Sequence, residues 1–131
     1  IEDEPNAAIS KYFVEGIQFI DEAISLGKNV LVHCMGGRSR SVSIVIAYLM
    51  LTQKLTYDQA YELVKKTRKV ISPNPGFVSQ LRKFEACTTK YHEIMSKEMT
   101  KEINYKLLDE LIREEMQFQY NKKTRKSQYK Y

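Results

Sequence analysis

The sequence predicts an α/β domain that is mostly helical and has one clear strand. Apolar residues recur every three or four positions in several long segments, which is typical of amphipathic helices. One short β-branched segment, NVLVH at residues 29–33, is typical of a fully buried strand. Two adjacent glycines follow shortly after it and indicate a tight connection from the strand into a helix.

The predicted helices are delimited by residues that favour helix ends. Gly27 follows the first helix as a C-terminal stop. Thr56 and Gln59 stand three apart, which is a capping-box pattern. Asn74 can cap a helix in which Pro75 takes the first helical position. We expect helices over residues 8–26, 41–52, 56–69, 75–94 and 103–120.

A single strand at residues 29–33 requires hydrogen-bond partners that this sequence does not obviously contain. Each unpaired N–H or C=O group in a buried strand would cost about 1–3 kcal/mol. Because the chain begins at Ile1 without a methionine, we expect further strands upstream in the natural protein. Strands supplied by a partner chain are the less favoured alternative.

The composition favours one globular domain. The chain has 131 residues, of which 43% are hydrophobic and 28% are charged. Its longest apolar stretch, residues 44–51, is far shorter than the roughly 20 residues that span a bilayer, so a membrane span is not expected. Cys34 and Cys87 are too few for a disulfide framework, which favours a reducing cytoplasmic or nuclear location.

The positive charge is concentrated in the middle of the chain. The net charge is +5, and residues 35–96 carry ten bases against four acids. A basic field in that region favours anionic ligands such as phosphate esters. A solvated surface that serves solubility is the alternative explanation.

The candidate site is the stretch VHCMGGRSRS at residues 32–41. A loop that leaves a strand and enters a helix directs several backbone N–H groups and the positive helix end at one point, which favours an anion. Gly36 and Gly37 let the chain fold tightly there. The N–H groups and Arg40 would lower the pKa of Cys34 below its free value of about 8.5 and make it a nucleophile. The planar guanidinium of Arg40 matches two phosphate oxygens.

This arrangement resembles the signature loop of the protein tyrosine phosphatase superfamily, and in particular its dual-specificity branch. VHCMGGRSRSVSIVIAYLM is similar to the phosphate loop and central helix of that branch, and YELVKKTRKVISPNPGFVSQLRKFE is similar to the two helices that follow. Rhodanese-like domains also place a cysteine and an arginine around an anion. The loop together with ISPNPGF distinguishes the phosphatases from them, and the resemblance covers about residues 1–95.

The resemblance implies a role for each matching residue. Cys34 would attack phosphorus to form a cysteinyl-phosphate. Asp3, in IEDEPNAAISKYF, would protonate the leaving oxygen and then deprotonate the hydrolytic water, while Ser41 would donate a hydrogen bond to the departing thiolate. His33 and Asn74 would support the loop's shape. The phosphate would be held by Met35, Gly36, Gly37, Arg38, Ser39 and Arg40. Neither a metal nor a cofactor is implied.

Some of these residues have an ordinary alternative explanation. Asp3 lies between Glu2 and Glu4, so it could belong to a solvated acidic run. Arg38 could select substrates with extra negative charge or be a solvated arginine. Cys87 and His92 lie on one predicted helix with no second cysteine or histidine at ligand spacing, which favours packing or exposure over a metal site.

We therefore expect a dual-specificity protein phosphatase that acts on phosphotyrosine and on phosphoserine and phosphothreonine in phosphoprotein substrates. The alternatives are a phosphatase for a phosphoinositide or an RNA 5′-phosphate, and a non-catalytic adaptor that binds phosphoproteins. Nucleic-acid binding is not expected, and an oligomer stays an open alternative. The predicted organisation is a phosphatase domain over residues 1–95, an additional helix within 96–120 and a disordered basic tail over 121–131.

Overall fold

The computed structural model describes residues 2–28 and 39–128, with side chains as far as Gln117. A 3-10 helix, Ile9–Tyr12, leads into the first α-helix. The α-helices are α1 (Phe13–Ser25), α2 (Arg40–Thr52), α3 (Tyr57–Thr67), α4 (Pro75–Met95) and α5 (Tyr105–Gln128). Residues 2–28 and 39–128 contain no β-strand, and the strand predicted at 29–33 lies outside these ranges.

The helix ends follow the predicted capping residues. Gly27 adopts a φ of +71° just beyond α1, and the Lys28 N–H donates to the Ala23 carbonyl at 2.9 Å. Thr56 and Gln59 form the complete capping box of α3. The side chain of Asn74 caps α4, with Pro75 in the first turn. The five predicted helices are therefore confirmed, although the first begins as a 3-10 helix and the last extends eight residues beyond its predicted end.

Helix α2 lies at the centre of the described structure and contacts α1, α3 and α4. Ile46 and Met50 are fully buried, which explains why α2 is apolar on nearly all sides. The rings of Phe13 on α1 and Phe84 on α4 pack with their centroids 5.0 Å apart. The 3-10 helix contacts α2 and α4, and the Asn74 N–H donates to Ser39, so the N-terminal ends of α1, α2 and α4 lie in one region. No helix within residues 2–28 and 39–128 has the length and apolarity that a bilayer crossing requires.

Helix α5 packs against α4 and α1 through its first half. Leu108 is fully buried, and the Tyr105 hydroxyl donates to Asp21 Oδ2 at 3.0 Å. The backbone stays helical to Gln128, which differs from the predicted end near Tyr120 and from the predicted disordered tail over 121–128. The segment has no apolar stripe, but its lysine, arginine and glutamine residues are good helix formers and α5 contains neither glycine nor proline.

Candidate active site

The structure describes the end of the predicted phosphate loop, from Ser39, and the helix that follows it. Cys34, the predicted nucleophile, lies outside the described residues, as do His33, Met35, Gly36, Gly37 and Arg38. Asp3, Ser39, Arg40, Ser41 and Asn74 are described. They belong to three segments that are distant in sequence: the N-terminal loop, the start of α2 and the start of α4.

Asn74 connects these three segments through its backbone and its side chain. Its backbone N–H donates to Ser39 Oγ at 2.9 Å, and its side-chain Nδ2 donates to Asp3 Oδ1 at 2.8 Å. Its Oδ1 accepts the Phe77 N–H at 2.9 Å and so caps α4. One residue thereby links the predicted proton donor to Ser39 at the end of the predicted phosphate loop, and its bond to Asp3 spans 71 positions in sequence.

The start of α2 is a buried, hydrogen-bonded turn. Ser39 is only 2% exposed, and its carbonyl accepts the Ser43 hydroxyl at 2.6 Å and the Ser43 N–H at 2.9 Å. Ser39 is the N-cap residue of α2, yet its hydroxyl accepts from Asn74 instead of capping its own helix. Arg40 opens α2, its Nε atom is buried, and Ser41 next to it is buried as well. The positive end of the helix dipole therefore lies at this turn, where it favours an anion.

The loop that carries Asp3 lies directly on the first turn of α4. A β-carbon built on Gly76 would come within 1.8 Å of the Pro5 carbonyl oxygen, so no larger residue fits beside this loop. Gly76 was not among the residues predicted to belong to the site. Its signal was weak but real, because glycine is a poor helix former and here it stands inside the first turn of a helix.

Cys87, the other cysteine, belongs to the interior and not to this site. It is 2% exposed, and its Sγ lies 3.6 Å from the Leu111 carbonyl oxygen. Burial, with a smaller contribution from Glu115, raises the pKa of the Cys87 thiol to about 12.

Among the described residues, no three histidine, cysteine, aspartate or glutamate side chains cluster in a way that could hold a metal. A groove of about 660 Å³ between α4 and α5 is lined partly by Cys87 and Lys90 and includes none of the predicted site residues.

Comparison with known proteins identifies the family of the chain. Residues 1–87 match the family model described as the dual specificity phosphatase catalytic domain. The chain is 48% identical over 86 residues to dual specificity protein phosphatase 1 of Homo sapiens, which covers 66% of this chain and 23% of the relative. It is 49% identical over 83 residues to dual specificity protein phosphatase 1B of Arabidopsis thaliana, covering 63% of this chain and 50% of the relative.

A solved structure gives the same result for the fold. The crystal structure of human tyrosine phosphatase-like serine/threonine/tyrosine-interacting protein is 43% identical and superposes with a TM-score of 0.64, over 66% of this chain and 57% of that chain. The chain thus spans about a quarter to just over half of these three proteins. The architecture is that of the protein tyrosine phosphatase-like fold, and the chain belongs to the dual specificity phosphatase catalytic-domain family.

Proposed function

We propose that the protein hydrolyses phosphate monoesters of tyrosine, serine and threonine in proteins through a cysteinyl-phosphate intermediate. The observation that carries this proposal is the hydrogen bonding of Asn74, which joins Asp3 to Ser39. A proton donor held next to an anion-binding turn is the arrangement that phosphoryl transfer to a thiolate needs. We include a cytoplasmic or nuclear location in the proposal, on the grounds of the two cysteines alone.

In the first step, the Cys34 thiolate attacks phosphorus, so that an S–P bond forms while the bond from phosphorus to the substrate oxygen breaks. Arg40 and the backbone N–H groups of residues 35–40 hold the equatorial oxygens. The proton of Asp3 passes to the leaving oxygen, which departs as a neutral hydroxyl. Supporting this role for Arg40, its Nε is buried at the first turn of α2, where the helix dipole adds to its positive charge.

In the second step, water attacks the phosphocysteine and gives its proton to the Asp3 carboxylate. The S–P bond breaks, and the Ser41 hydroxyl stabilises the departing thiolate with a hydrogen bond. Because Asn74 Nδ2 donates to Oδ1 of Asp3, Oδ2 is the oxygen that carries the transferred proton. Asn74 therefore sets both the position of the carboxyl group and the oxygen that acts.

The test is hydrolysis of p-nitrophenyl phosphate by the protein and by two cysteine variants. Cys34→Ser should abolish turnover, because a serine hydroxyl at neutral pH is a much weaker nucleophile than a thiolate. Cys87→Ser is the matched control, since Cys87 is buried between α4 and α5, and this variant should retain turnover. Equal turnover by the protein and by Cys34→Ser would contradict the proposal.

Substrate class is tested with the same protein on phosphotyrosyl and phosphothreonyl peptides beside phosphoinositides and triphosphorylated RNA. We expect the peptides to be hydrolysed. If only the lipid or only the RNA is hydrolysed, the proposed protein phosphatase activity is wrong and the corresponding alternative activity is correct. Binding of phosphopeptide without any turnover would instead identify an adaptor, and one similar protein is described as tyrosine phosphatase-like and as an interacting protein.

A further inference from the structure

We propose that Gln80, on α4, is a positioning residue for the loop that carries Asp3. Its side-chain amide substitutes for the missing N-cap of the 3-10 helix at the end of that loop. This inference rests on the proposed function for its effect on catalysis. Its structural part stands on the hydrogen bonds alone.

The 3-10 helix Ile9–Tyr12 lacks a capping side chain of its own. Its N-cap residue is Ala8, whose side chain cannot accept a hydrogen bond. The Ile9 N–H donates to the Ala7 carbonyl at 3.1 Å, but the Ser10 N–H needs another acceptor. Gln80 supplies one, since its Oε1 accepts the Ser10 N–H at 2.9 Å from a position 70 residues later in the chain. Ser10 is only 7% exposed, so water is a poor substitute for this acceptor.

The other end of the same amide binds the loop as well. Gln80 Nε2 donates to the Ala7 carbonyl at 2.9 Å and to the Gly76 carbonyl at 3.2 Å, within its own helix. The orientation of the amide is thereby determined, because a flipped amide would set its N–H groups against the Ser10 N–H and its oxygen against two carbonyls. A side chain with both a donor and an acceptor at this length is required, which glutamine provides.

These contacts complete a series along the loop. Asn74 holds Asp3, Gly76 makes room for Pro5, and Gln80 binds Ala7 and Ser10. All three anchoring residues lie within the N-cap and the first two turns of α4. Helix α4 thus holds the loop at three points, and loss of the Gln80 anchor should let the Asp3 carboxyl group shift while the Asn74 N–H stays bonded to Ser39.

The experiment compares Gln80→Met with the parent protein on two substrates that differ only in their leaving group. Phenolate is a strong base and needs the proton of Asp3, whereas p-nitrophenolate is a weak base and needs it little. We expect kcat/KM for phenyl phosphate to fall about tenfold or more. This is part of the roughly 10²–10⁴-fold rate enhancement that general acid catalysis supplies. For p-nitrophenyl phosphate we expect a fall of less than about threefold.

Gln59→Met is the matched control. Gln59 makes the same kind of hydrogen bond, accepting the Thr56 N–H at 3.0 Å, but in the capping box of α3. We expect this control to lower stability without any preference between the two substrates. Equal losses on both substrates in Gln80→Met, or no loss on either, would overturn the proposal.

Two further measurements keep the test decisive. Gln80→Glu keeps the acceptor for the Ser10 N–H but sets a carboxylate against the Ala7 carbonyl, so it should show the same selective loss if Gln80→Met does not fold. Hydrogen exchange at the Ser10 amide should be faster in Gln80→Met, and unchanged exchange would refute the anchoring. If the parent protein hydrolyses neither substrate, the proposed function fails, while the exchange result still decides the role of Gln80.

Discussion

Replacing Gly76 with alanine should move the loop that carries Asp3. The added β-carbon would lie 1.8 Å from the Pro5 carbonyl oxygen and 2.5 Å from its carbonyl carbon. Because β-carbons in proteins essentially never approach another heavy atom within 3.0 Å, the Pro5 oxygen must move by about 1.2 Å, the difference between 3.0 and 1.8 Å. The obstacle is backbone, so rotation of a side chain cannot relieve it.

A displacement of this size should affect proton transfer more than nucleophilic attack. Misplacing a reacting group by about 1 Å can cost roughly 10²-fold in rate. We therefore expect kcat/KM of Gly76→Ala for phenyl phosphate to fall about 100-fold, and for p-nitrophenyl phosphate by less than about fivefold. The ratio of the two values, measured with parent and variant in parallel, isolates the contribution of Asp3.

The direction in which the Tm changes is an independent test of the same variant. At a helix position free of contacts, alanine is more favourable than glycine by about 0.5–1 kcal/mol. If the space beside Gly76 were empty, Gly76→Ala would therefore raise the Tm. The contact with Pro5 predicts a lower Tm instead, because overpacking costs about 1–3 kcal/mol. Gly16→Ala is the control, since it overpacks α1 against Ile44 of α2 and should lower the Tm without changing the substrate ratio. A raised Tm with unchanged rates would refute the reasoning.

Three other predictions concern the interior. Because burial raises the pKa of Cys87 to about 12, a thiol reagent at neutral pH should leave Cys87 unmodified in the folded protein and modify it in urea, as mass spectrometry would detect. Burial, and secondarily the charge of Lys54, lowers the pKa of His92 below its ordinary 6.5. Below pH 6.5 the unfolded state therefore binds more protons than the folded state, and the free energy of unfolding should fall as the pH drops. His92→Gln should reduce that loss in urea unfolding, and an unchanged pH dependence would contradict it. Leu108→Ala, at a fully buried position of α5, should cost about 2–5 kcal/mol in urea unfolding, and no measurable cost would mean that α5 does not complete the core.

Local signals in the sequence were sufficient for the helices and for the N-cap of α4. Asn74 followed by Pro75 predicts a helix start from local physics, because the side-chain oxygen accepts a nearby N–H and proline has the dihedral angle of the first turn. The same residue's bond to Asp3 crosses 71 positions and depends on tertiary packing. Only the resemblance to a known family pointed to Asp3 and Asn74 as members of one site.

Sequence reasoning missed Gly76 and Gln80 for a related reason. A glycine in a first turn is only a weak signal, and a glutamine inside a helix is none, until the N-terminal loop is placed against them. The tail was judged from its charge and its lack of aliphatic residues, but intrinsic helix propensity continues α5 to Gln128. The strand at 29–33 and the nucleophile Cys34 stay predictions, since both lie outside the described residues.

The most direct test of the central claim is to trap the phosphorylated protein. With p-nitrophenyl phosphate, Asp3→Asn should still accept phosphate but hydrolyse the intermediate slowly, because the second step needs the Asp3 carboxylate as base. Rapid quenching in denaturant at alkaline pH, where the S–P bond is more stable than in mild acid, followed by peptide mass spectrometry, should then find one phosphate on Cys34. Turnover with no phosphate on Cys34, or with phosphate on another residue, would contradict the account.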